Sequence, residues 1–373
     1  MSKPKLAIIG ANSSINVLIE KAKSLGYETH VFAWRDGSIG EKTADVFYPI
    51  SIADKEAILA KCQELGVVGV CSVTSDFAAP VVNYISKMLG NPHNEEKTEL
   101  LARNKYEMRK AFKEAGVYVP KFFEVGKDSD LSTFKSISYP VIVKPTDRWS
   151  SKGVSRVDRY EDLKAAVDVA INESMNDLAI VEEFMDGPEY SAECIAQDGE
   201  YHILAFTKKD TTGYPHYIET GHTQPSDIPL EKQEGIKQVI YKALRALGIR
   251  NSAAHAEFRL LKDGNVGIIE IGARMGGDCI GTDLTPTSTG IDYVKMVIDV
   301  AIGNKLDFSV VSKPTPVNVK FIMNREDYED FLRLKKEHPE VIIRYDEIDE
   351  NFEREVIDSS TRHGFYVRKL EDN

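Results

Sequence analysis

The chain has 373 residues, 42% of them apolar, and a formal net charge of −12 at pH 7. This length exceeds what one hydrophobic core usually serves, so we expect about two or three globular domains. The acidic balance argues against nucleic acid and anionic membranes as partners, although it allows a local basic pocket. The apolar run near the first residue is too short for a secretion signal or a membrane span. The cysteines show no CxxC spacing and predict a reduced, cytoplasmic protein: Cys62, Cys71, Cys194 and Cys279.

Residues 1–92 predict a domain of alternating strands and helices around a mostly parallel sheet. The first strand is KLAII, and the turn GANSSI after it lacks the GxGxxG spacing of a dinucleotide-binding loop. Ser75 and Asp76 follow the third predicted strand and are candidates to line a cleft at the edge of the sheet. A helix cap is the alternative role for Asp76.

The next region carries a lysine within an apolar strand. PVIVKP predicts a buried strand, and its Lys144 needs a partner charge because burying an unpaired ammonium is costly. An anionic ligand would supply that charge, and a lysine that reaches solvent at a strand end is the alternative. The following loop contains Ser150, Ser151 and Gly153, and offers hydroxyl and backbone donors suited to phosphate oxygens. Residues 207–227 show little periodicity and predict a long loop.

The stretch HAEFRLLKDGNVGIIEIGARMGGD predicts a β-hairpin. Asp263-Gly264 favours a two-residue turn, which would place Glu257 directly opposite Glu270 on one face. The same register pairs Phe258 with Ile269 on the other face, which we expect to be core.

Two facing carboxylates destabilise a strand pair unless a positive charge lies between them. A divalent cation with oxygen ligands, Mg²⁺ or Mn²⁺, would supply it, whereas a solvated outer face is the alternative. Arg274 would share that face if the strand extends so far, and its guanidinium suits a phosphate or a carboxylate. Gly276 and Gly277 would let the backbone approach a ligand closely.

These pieces occur in a familiar order: Lys105, Lys144, the loop from Ser151 to Val154, the segment VEEFMDGPE, and the hairpin. Together they resemble the ATP-grasp superfamily, and within it the carboxylate–amine ligases and relatives of the carbamoyl-phosphate synthase large subunit. The resemblance covers roughly residues 1–310 and leaves the role of 311–373 open. It implies an α/β chain, α+β in its C-terminal part, with an ATP-grasp fold after a βαβ pre-ATP-grasp domain. The expected domains are 1–92, 93–190 with the phosphate loop and hinge, and 191–373 with the metal site.

The resemblance also implies residue roles for the nucleotide. Lys105 and Lys144 would reach the ATP phosphates, with Lys144 also catalytic, and Glu189 would hold the ribose. The lid over the phosphates would contain Ser150, Ser151, Gly153 and Val154. The hinge beside adenine would contain Glu182, Glu183, Phe184 and Met185, with backbone hydrogen bonds from Glu182, Phe184 and Met185.

Metal and substrate roles follow from the same resemblance. Glu257 and Glu270 would hold Mg²⁺ or Mn²⁺, and Arg274 would stabilise the transferred phosphoryl group. Gly272 stands where the family often has a further asparagine ligand, so one metal could be held more loosely. The residues implied for substrate are Glu219, Arg274, Gly276, Gly277 and Asp278. His222 is a candidate proton acceptor, and an ordinary surface histidine is the alternative.

The implied activity is an ATP-dependent ligase. A substrate carboxylate would become an acyl phosphate, and an amine would then displace phosphate to form an amide or peptide bond. The alternatives are phosphorylation of bicarbonate or carbamate, as in carbamoyl-phosphate synthase, and a non-catalytic ATP-binding module. The implied partners are a small-molecule carboxylate and amine, a homodimer is allowed, and neither nucleic acid nor a membrane is expected.

Overall fold

The computed structural model describes residues 2–148, 151–214 and 217–371, which fold into three β-sheets with flanking helices. The first sheet is parallel, has the order β3-β2-β1-β4, and confirms the βαβ pattern. Its strands are β1 (Lys5–Ile9), β2 (Glu28–Phe32), β3 (Val46–Tyr48) and β4 (Gly69–Cys71). The helices between and after them are α1 (Ser13–Ser24), α2 (Ile39–Thr43), α3 (Lys55–Leu65) and α4 (Ala78–Leu89).

The second sheet is antiparallel, with the order β5-β8-β6-β7. Its strands are β5 (Phe122–Gly126), β6 (Val141–Pro145), β7 (Ser155–Val157) and β8 (Leu178–Glu183). The accompanying helices are α5 (Thr98–Leu101), α6 (Lys105–Glu114) and α7 (Leu163–Glu173). Asn104 fixes the start of α6 because its side chain accepts hydrogen bonds from the first free amides. The predicted phosphate lysines therefore lie at the start of α6 and within β6.

The third sheet has eight strands in the order β13-β12-β9-β10-β11-β14-β16-β15, all in antiparallel pairs. They are β9 (Glu189–Gln197), β10 (Glu200–Thr211), β11 (Glu219–Gln224), β12 (Ser252–Leu260), β13 (Val266–Gly272), β14 (Val317–Ile322), β15 (Ile342–Tyr345) and β16 (Gly364–Lys369). The helices of this region are α8 (Leu230–Ala246), α9 (Thr285–Thr289), α10 (Tyr293–Ile302) and α11 (Arg325–Glu337).

The long loop predicted over 207–227 is wrong in part. Strand β10 continues to Thr211, and β11 occupies Glu219–Gln224. Both strands carry polar side chains on a face that lines a cavity, so they lack the alternation of apolar and polar residues by which strands are usually detected.

The hairpin confirms the predicted glutamate pair, although not by the predicted turn. Glu257 lies opposite Glu270 across β12 and β13. The strands end at the pair Leu260–Val266, so the connection is longer than two residues, and a β-bulge then restores the register. A turn error of one residue is therefore cancelled before the glutamates are reached.

The same bulge overturns the predicted core pair. Phe258 lies opposite Ile268 rather than Ile269. Phe258 and Ile268 are buried in the core, whereas Ile269 is half-buried and lines the cavity. A bulge residue stands outside the regular alternation of side chains, which explains the change of face.

One hydrophobic cluster joins the first sheet to α10 and the third sheet, and this packing fixes the position of the cavity between the sheets. It contains Ile8 of β1, Ile195 of β9, Ala253 of β12 and Val297 of α10. All four cysteines are free and buried, so none forms a disulfide. Within the described ranges, no helix combines the length and the apolar character needed to cross a bilayer. The domain boundaries at 92 and 190 remain predictions.

Candidate functional site

A cavity of about 560 Å³ lies where the three sheets meet. Loops of the first sheet, strands of the second sheet and the polar face of the third sheet all contribute to its wall. It collects most of the residues singled out from the sequence: Ser75, Asp76, Lys105, Lys144, Ser151, Val154, Glu182, Glu183, Phe184, Met185, Glu189, Glu219, His222, Glu257, Glu270, Arg274, Gly277 and Asp278.

Two predicted residues, Gly153 and Gly276, do not line this wall, and a third falls on a residue that the structure does not describe. Ser150 lies outside the described residues. Gly153 has a φ of +68°, and a Cβ there would lie 3.0 Å from Pro145 and Glu173, so glycine is needed for the loop to pack. Gly276 donates its N–H to the buried Glu193 at 2.8 Å, and a Cβ there would meet that carboxylate at 2.5 Å. The position of Gly276 therefore indicates a packing role rather than the predicted substrate contact.

A closed cluster of charges forms one wall. Glu182 Oε1 lies 2.6 Å from Lys144 Nζ, and Glu182 Oε2 lies 2.8 Å from Arg109 Nε. Arg109 Nη2 also donates to the Ile269 carbonyl at 2.9 Å, which ties α6 to the hairpin. Lys144 is buried, so the alternative of a solvent-exposed strand end is wrong.

Burial alone would raise the pKa of Glu182, but Arg109 and Lys144 lower it to about 2. Burial lowers the pKa of Lys144, although Glu182 opposes the change. Glu182 is therefore ionised at neutral pH, and its carboxylate holds Arg109 and Lys144 together. The resemblance had implied a role only for the backbone of this residue.

The hinge differs in detail from the expectation. The Phe184 N–H already donates to the Pro140 carbonyl at 3.1 Å, so it is not the free donor that the resemblance implies. Glu182 lies in the ladder between β5 and β6. The Phe184 ring instead stacks with cations, because the guanidinium of Arg156 lies 4.7 Å and that of Arg259 5.0 Å from its centroid.

An open cluster lines another part of the cavity wall. Lys209 Nζ lies 2.6 Å from Glu257, 3.5 Å from Glu189 and 3.7 Å from Glu219. Burial alone would lower the pKa of Lys209, but the three carboxylates raise it above its usual value. Burial alone would raise the pKa of Glu257, but Lys209 and His255 lower it well below its usual range. Sequence reasoning missed Lys209 because it lies in the stretch predicted as a loop.

His255 was also missed. It lies between a buried Glu193, to which its Nδ1 makes a short contact, and Glu257, which is 3.0 Å from its Nε2. Burial lowers the pKa of His255, but Glu193 and Glu257 raise it to about 9. Strand alternation from Glu257 would have found it, because residues two apart share a face.

Arg274 reaches the cavity from beyond the strand, since β13 ends at Gly272. Its Nε and Nη2 donate to Asp76 at 2.9 and 2.7 Å, a bidentate pair that joins the third sheet to the first. Burial alone would lower the pKa of Arg274, but Asp76 raises it. The helix-cap alternative for Asp76 is wrong, because Ser75 Oγ accepts the Ala78 N–H instead.

The donor atoms of the cavity decide whether a divalent cation fits there. The part of the chain that the structure describes holds no group of three or more His, Cys, Asp or Glu side chains arranged for a metal. Glu257 and Glu270 nevertheless face each other and open on the cavity, and Lys105 lies 2.9 Å from Glu270. Protein Mg²⁺ sites commonly use one or two carboxylates and leave the other positions to substrate phosphates and water. The pair therefore fits Mg²⁺ bound together with a polyphosphate.

The C-terminal tail also reaches the cavity, which the sequence did not indicate. Arg362 Nη2 donates to Asp278 at 2.8 Å, and Ser359 Oγ makes a short hydrogen bond to Glu219. His222 is buried, with its ring edge against Phe321, so it is not an ordinary surface residue. Burial alone would raise the pKa of Asp278, but His222 and Arg362 lower it below its usual range.

Comparison with known proteins gives a consistent result. Residues 137–283 match the family model described as "ATP-grasp domain". The alanine–anticapsin ligase of Bacillus subtilis (strain 168) is 31% identical over 223 residues, which cover 53% of this chain and 46% of that protein. The chain thus spans about half the length of the curated relatives that it matches first.

Solved structures resemble the whole chain. The crystal structure of L-amino acid ligase from Bacillus licheniformis has a TM-score of 0.82 at 24% identity, and covers 100% of this chain and 94% of that one. N5-carboxyaminoimidazole synthetase from Staphylococcus aureus complexed with ADP has a TM-score of 0.77 at 15% identity, and covers 99% and 94%. At these identities the likeness shows the fold alone.

The sheets and the cavity between them define a mixed α/β protein with an ATP-grasp fold preceded by a parallel-sheet domain. The match of residues 137–283 to an ATP-grasp domain agrees with the resemblance that the order of the motifs had indicated.

Proposed function

We propose that this protein is an ATP-dependent carbon–nitrogen ligase, which activates a substrate carboxylate as an acyl phosphate and couples it to an amine. The observation that carries the proposal is the facing pair Glu257–Glu270, which opens on one cavity together with Lys105, Lys144 and Arg274. These are the charges that phosphoryl transfer requires around a nucleotide and its metal.

The nucleotide would lie against the second sheet. Lys105, Lys144 and the loop at Ser151 would contact its phosphates, because cations and backbone donors gather there on one wall. The base would lie beside Phe184, stacked between the ring and the side chains around it. Glu189 would accept hydrogen bonds from the ribose hydroxyls. One of its carboxylate oxygens pairs with Arg259 at 2.9 Å, and the other would serve the ribose.

Glu257 and Glu270 would hold Mg²⁺. When bound, that ion would neutralise negative charge on the phosphates of the nucleotide. Lys105 would remain beside Glu270 and Lys209 beside Glu257, and each would reach a phosphate oxygen as the carboxylates turn to the cation.

The reaction follows from this placement. A carboxylate oxygen of the substrate attacks the γ-phosphorus, the bond to the bridging oxygen breaks, and ADP leaves with the electron pair. The amine nitrogen then attacks the acyl carbon, the bond from carbon to the phosphate oxygen breaks, and the nitrogen loses a proton to a base, for which His222 is our candidate. Arg274 would orient the acyl phosphate, and the enclosed cavity would limit its hydrolysis.

The relatives support this reading through their names. The matched Bacillus subtilis protein is called a ligase of alanine and anticapsin, and a structure of the same fold is called an L-amino acid ligase. Because the match covers about half of that relative, the activity and the substrates of this chain are our inference.

Gly272 stands where the family often has a metal ligand, which would agree with a non-catalytic ATP-binding module. The structure gives this glycine another explanation. A Cβ at Gly272 would lie 3.0 Å from Asp76 Oδ1 and 3.2 Å from Arg274 Nε. The small residue therefore makes room for the Arg274–Asp76 pair, so the absence of a side chain there has a reason other than lost chemistry.

The test is ATP turnover with defined substrates. ADP release is measured with MgATP and each of the twenty common amino acids, alone and in pairs, with bicarbonate as a separate arm. Release that requires two substrates, with an amide product by mass spectrometry, supports the ligase. Release with bicarbonate alone would replace it with the carbamoyl-phosphate-like reaction, and stabilisation by ATP without any release would favour a binding module.

A further inference from the structure

A short segment of the C-terminal tail forms part of the cavity wall. Residues Ser359–Thr361 make a 3₁₀ turn that is fixed by a capping box, in which Asp358 and Thr361 exchange side-chain and backbone hydrogen bonds. The turn and the residue after it place Ser359, Ser360 and Arg362 on the wall of the cavity. A turn that begins with such a cap has a defined backbone conformation.

Arg362 is held on three sides. Its guanidinium carbon lies 3.6 Å from the centroid of the Phe321 ring, its Nε donates to the Ser359 carbonyl at 2.8 Å, and its Nη2 donates to Asp278 at 2.8 Å. The third nitrogen, Nη1, is buried and has no hydrogen-bond partner among the described residues. Buried donors are rarely left without a partner, and a pre-oriented guanidinium on a residue that lines a cavity suits a carboxylate.

A second unpartnered atom lies in the same corner. Asp278 contacts Arg362, and its Oδ2 lies 3.8 Å from His222 Nε2. The other ring nitrogen of that histidine, Nδ1, is buried and likewise lacks a partner within the described parts of the chain. The corner therefore offers a hydrogen-bond donor at Arg362 and a ring nitrogen able to accept at His222, joined by one carboxylate.

We infer that this corner binds the amine substrate by its carboxylate, so that the amine is an α-amino acid. The inference rests on the proposed ligase function. Arg362 Nη1 donates to the carboxylate, and His222 Nδ1 accepts a hydrogen bond from the amino group. An α-amino acid carries both groups on one carbon, and Arg362 and His222 both lie beside the single carboxylate of Asp278.

The position of the corner favours the amine over the carboxylate donor. The donor has to place its carboxylate next to the phosphates, where Glu257 and Glu270 lie. Arg362 is separated from Glu257 by a chain of polar contacts through Lys209, Glu219 and Ser359. The corner is thus connected to Glu257 through intermediate residues, which leaves room for the amine to bind beside the donor.

The experiment separates acyl activation from amine recognition. Hydroxylamine has no carboxylate and converts an acyl phosphate to a hydroxamate without using the corner. The proteins compared are wild type, Arg362→Met and Arg344→Met. Each is given MgATP and each of the twenty common amino acids as the carboxylate donor. The acceptor is first hydroxylamine, and then a free amino acid or its C-terminal amide. Arg344 is a matched control, because it also pairs with an aspartate (Asp283, 3.1 Å) and lies over a phenylalanine (Phe365, 5.4 Å), but does not line the cavity.

We expect wild type to use amino acids with a KM about 10- to 100-fold lower than that for the amides, the size of one charge-assisted contact. Arg362→Met should lose this preference, with hydroxamate formation and the KM for the amides unchanged. Arg344→Met should keep the preference. Arg362→Lys, which retains the charge but not the planar donor edge, should recover only part of it.

Several outcomes would overturn the inference. If the KM of wild type is the same for amides and for free amino acids, the corner does not bind a carboxylate. This result would not depend on any variant. If Arg362→Met keeps the preference, another residue recognises the carboxylate, and if it loses hydroxamate formation, Arg362 serves the donor. In these cases the ligase proposal stands. If wild type forms no hydroxamate with any donor, the proposed function fails and the inference fails with it.

Discussion

The cavity has two charged walls that use the same residue types in opposite proportions. The closed cluster combines two cations, Arg109 and Lys144, with the single carboxylate Glu182, and all three are buried. The open cluster combines one cation, Lys209, with three carboxylates that line the cavity. An excess of positive charge suits the phosphates of a nucleotide, and an excess of negative charge suits metal ions and ammonium groups. The contrast indicates how one cavity can hold both at once.

The largest effect is expected at Glu270, which lies opposite Glu257 of the open cluster. Glu270→Gln should lower the rate of ADP release by about 1,000-fold or more, because a neutral amide cannot hold the divalent cation that balances the phosphate charge. The measurement is steady-state turnover at saturating MgATP, with circular dichroism to show an intact fold.

Glu107→Gln is the matched control, since Glu107 pairs with Lys110 at 2.9 Å on the outer surface of α6 and does not line the cavity. Its turnover should equal that of wild type. Normal turnover in the Glu270→Gln variant would contradict the metal role of the pair and remove the functional difference between the two walls.

The parts of the site that could be predicted from the sequence are those set by residues close together along the chain. Glu257 and Glu270 could be paired because a turn dipeptide and regular alternation lie between them, and because the bulge happened to cancel the turn error. The bulge could not be predicted, because nothing in the sequence around Ile269 distinguishes this residue from a regular strand residue. The motif order identified the superfamily because it depends on spacing along the chain and not on packing.

The second prediction concerns the closed wall and acid. The pKa of Glu182 is about 2 in the folded protein, against an ordinary value of 4.5. A carboxyl with a depressed folded pKa contributes stability above its unfolded pKa and loses it as pH falls towards the folded value. Stability should therefore fall by about 3 kcal/mol between pH 5 and pH 2 through this one group.

Urea unfolding from pH 6 to pH 2 measures this contribution. Glu182→Gln should be less stable than wild type near pH 6, and the difference should shrink as pH approaches 2. The surface change Glu107→Gln, which lies outside the closed cluster, should leave the acid dependence as in wild type. A gap between Glu182→Gln and wild type that stays constant across the range would show that its charge does not govern the acid dependence.

A third, smaller effect is expected for nucleotide affinity at the closed wall. Lys144→Ala should weaken ATP binding by about 10- to 100-fold, the size of one charge-assisted contact to a phosphate. Calorimetry with a non-hydrolysable ATP analogue and Mg²⁺ measures it. Lys262→Ala serves as the control, because Lys262 pairs with Asp186 at 2.7 Å on the surface near the hinge. Equal affinity in all three proteins would mean that Lys144 only neutralises Glu182.

The residues that sequence reasoning missed share a physical cause. Lys209 and Arg362 owe their positions to strand neighbours and tail contacts far away along the chain, such as the link from Ser359 to Glu219. Arg109 is fully buried, although a single arginine on an amphipathic helix ordinarily points to water. Long-range packing decides such cases, and a single sequence carries no record of it.

The smallest expected effect tests whether the open wall lacks a ligand at Gly272. Gly272→Ala would place a methyl group 3.0 Å from Asp76 Oδ1 and 3.2 Å from Arg274 Nε, which is closer than ordinary contact. The pair that joins the third sheet to the first would have to shift, at a cost of about 1 kcal/mol in the free energy of unfolding. Gly272→Asn should be no more active than Gly272→Ala, because its amide cannot enter the site without displacing Arg274. If the asparagine variant instead turned over faster than wild type, the open wall would be short of a metal ligand, and the Arg274–Asp76 pair would be secondary to that loss.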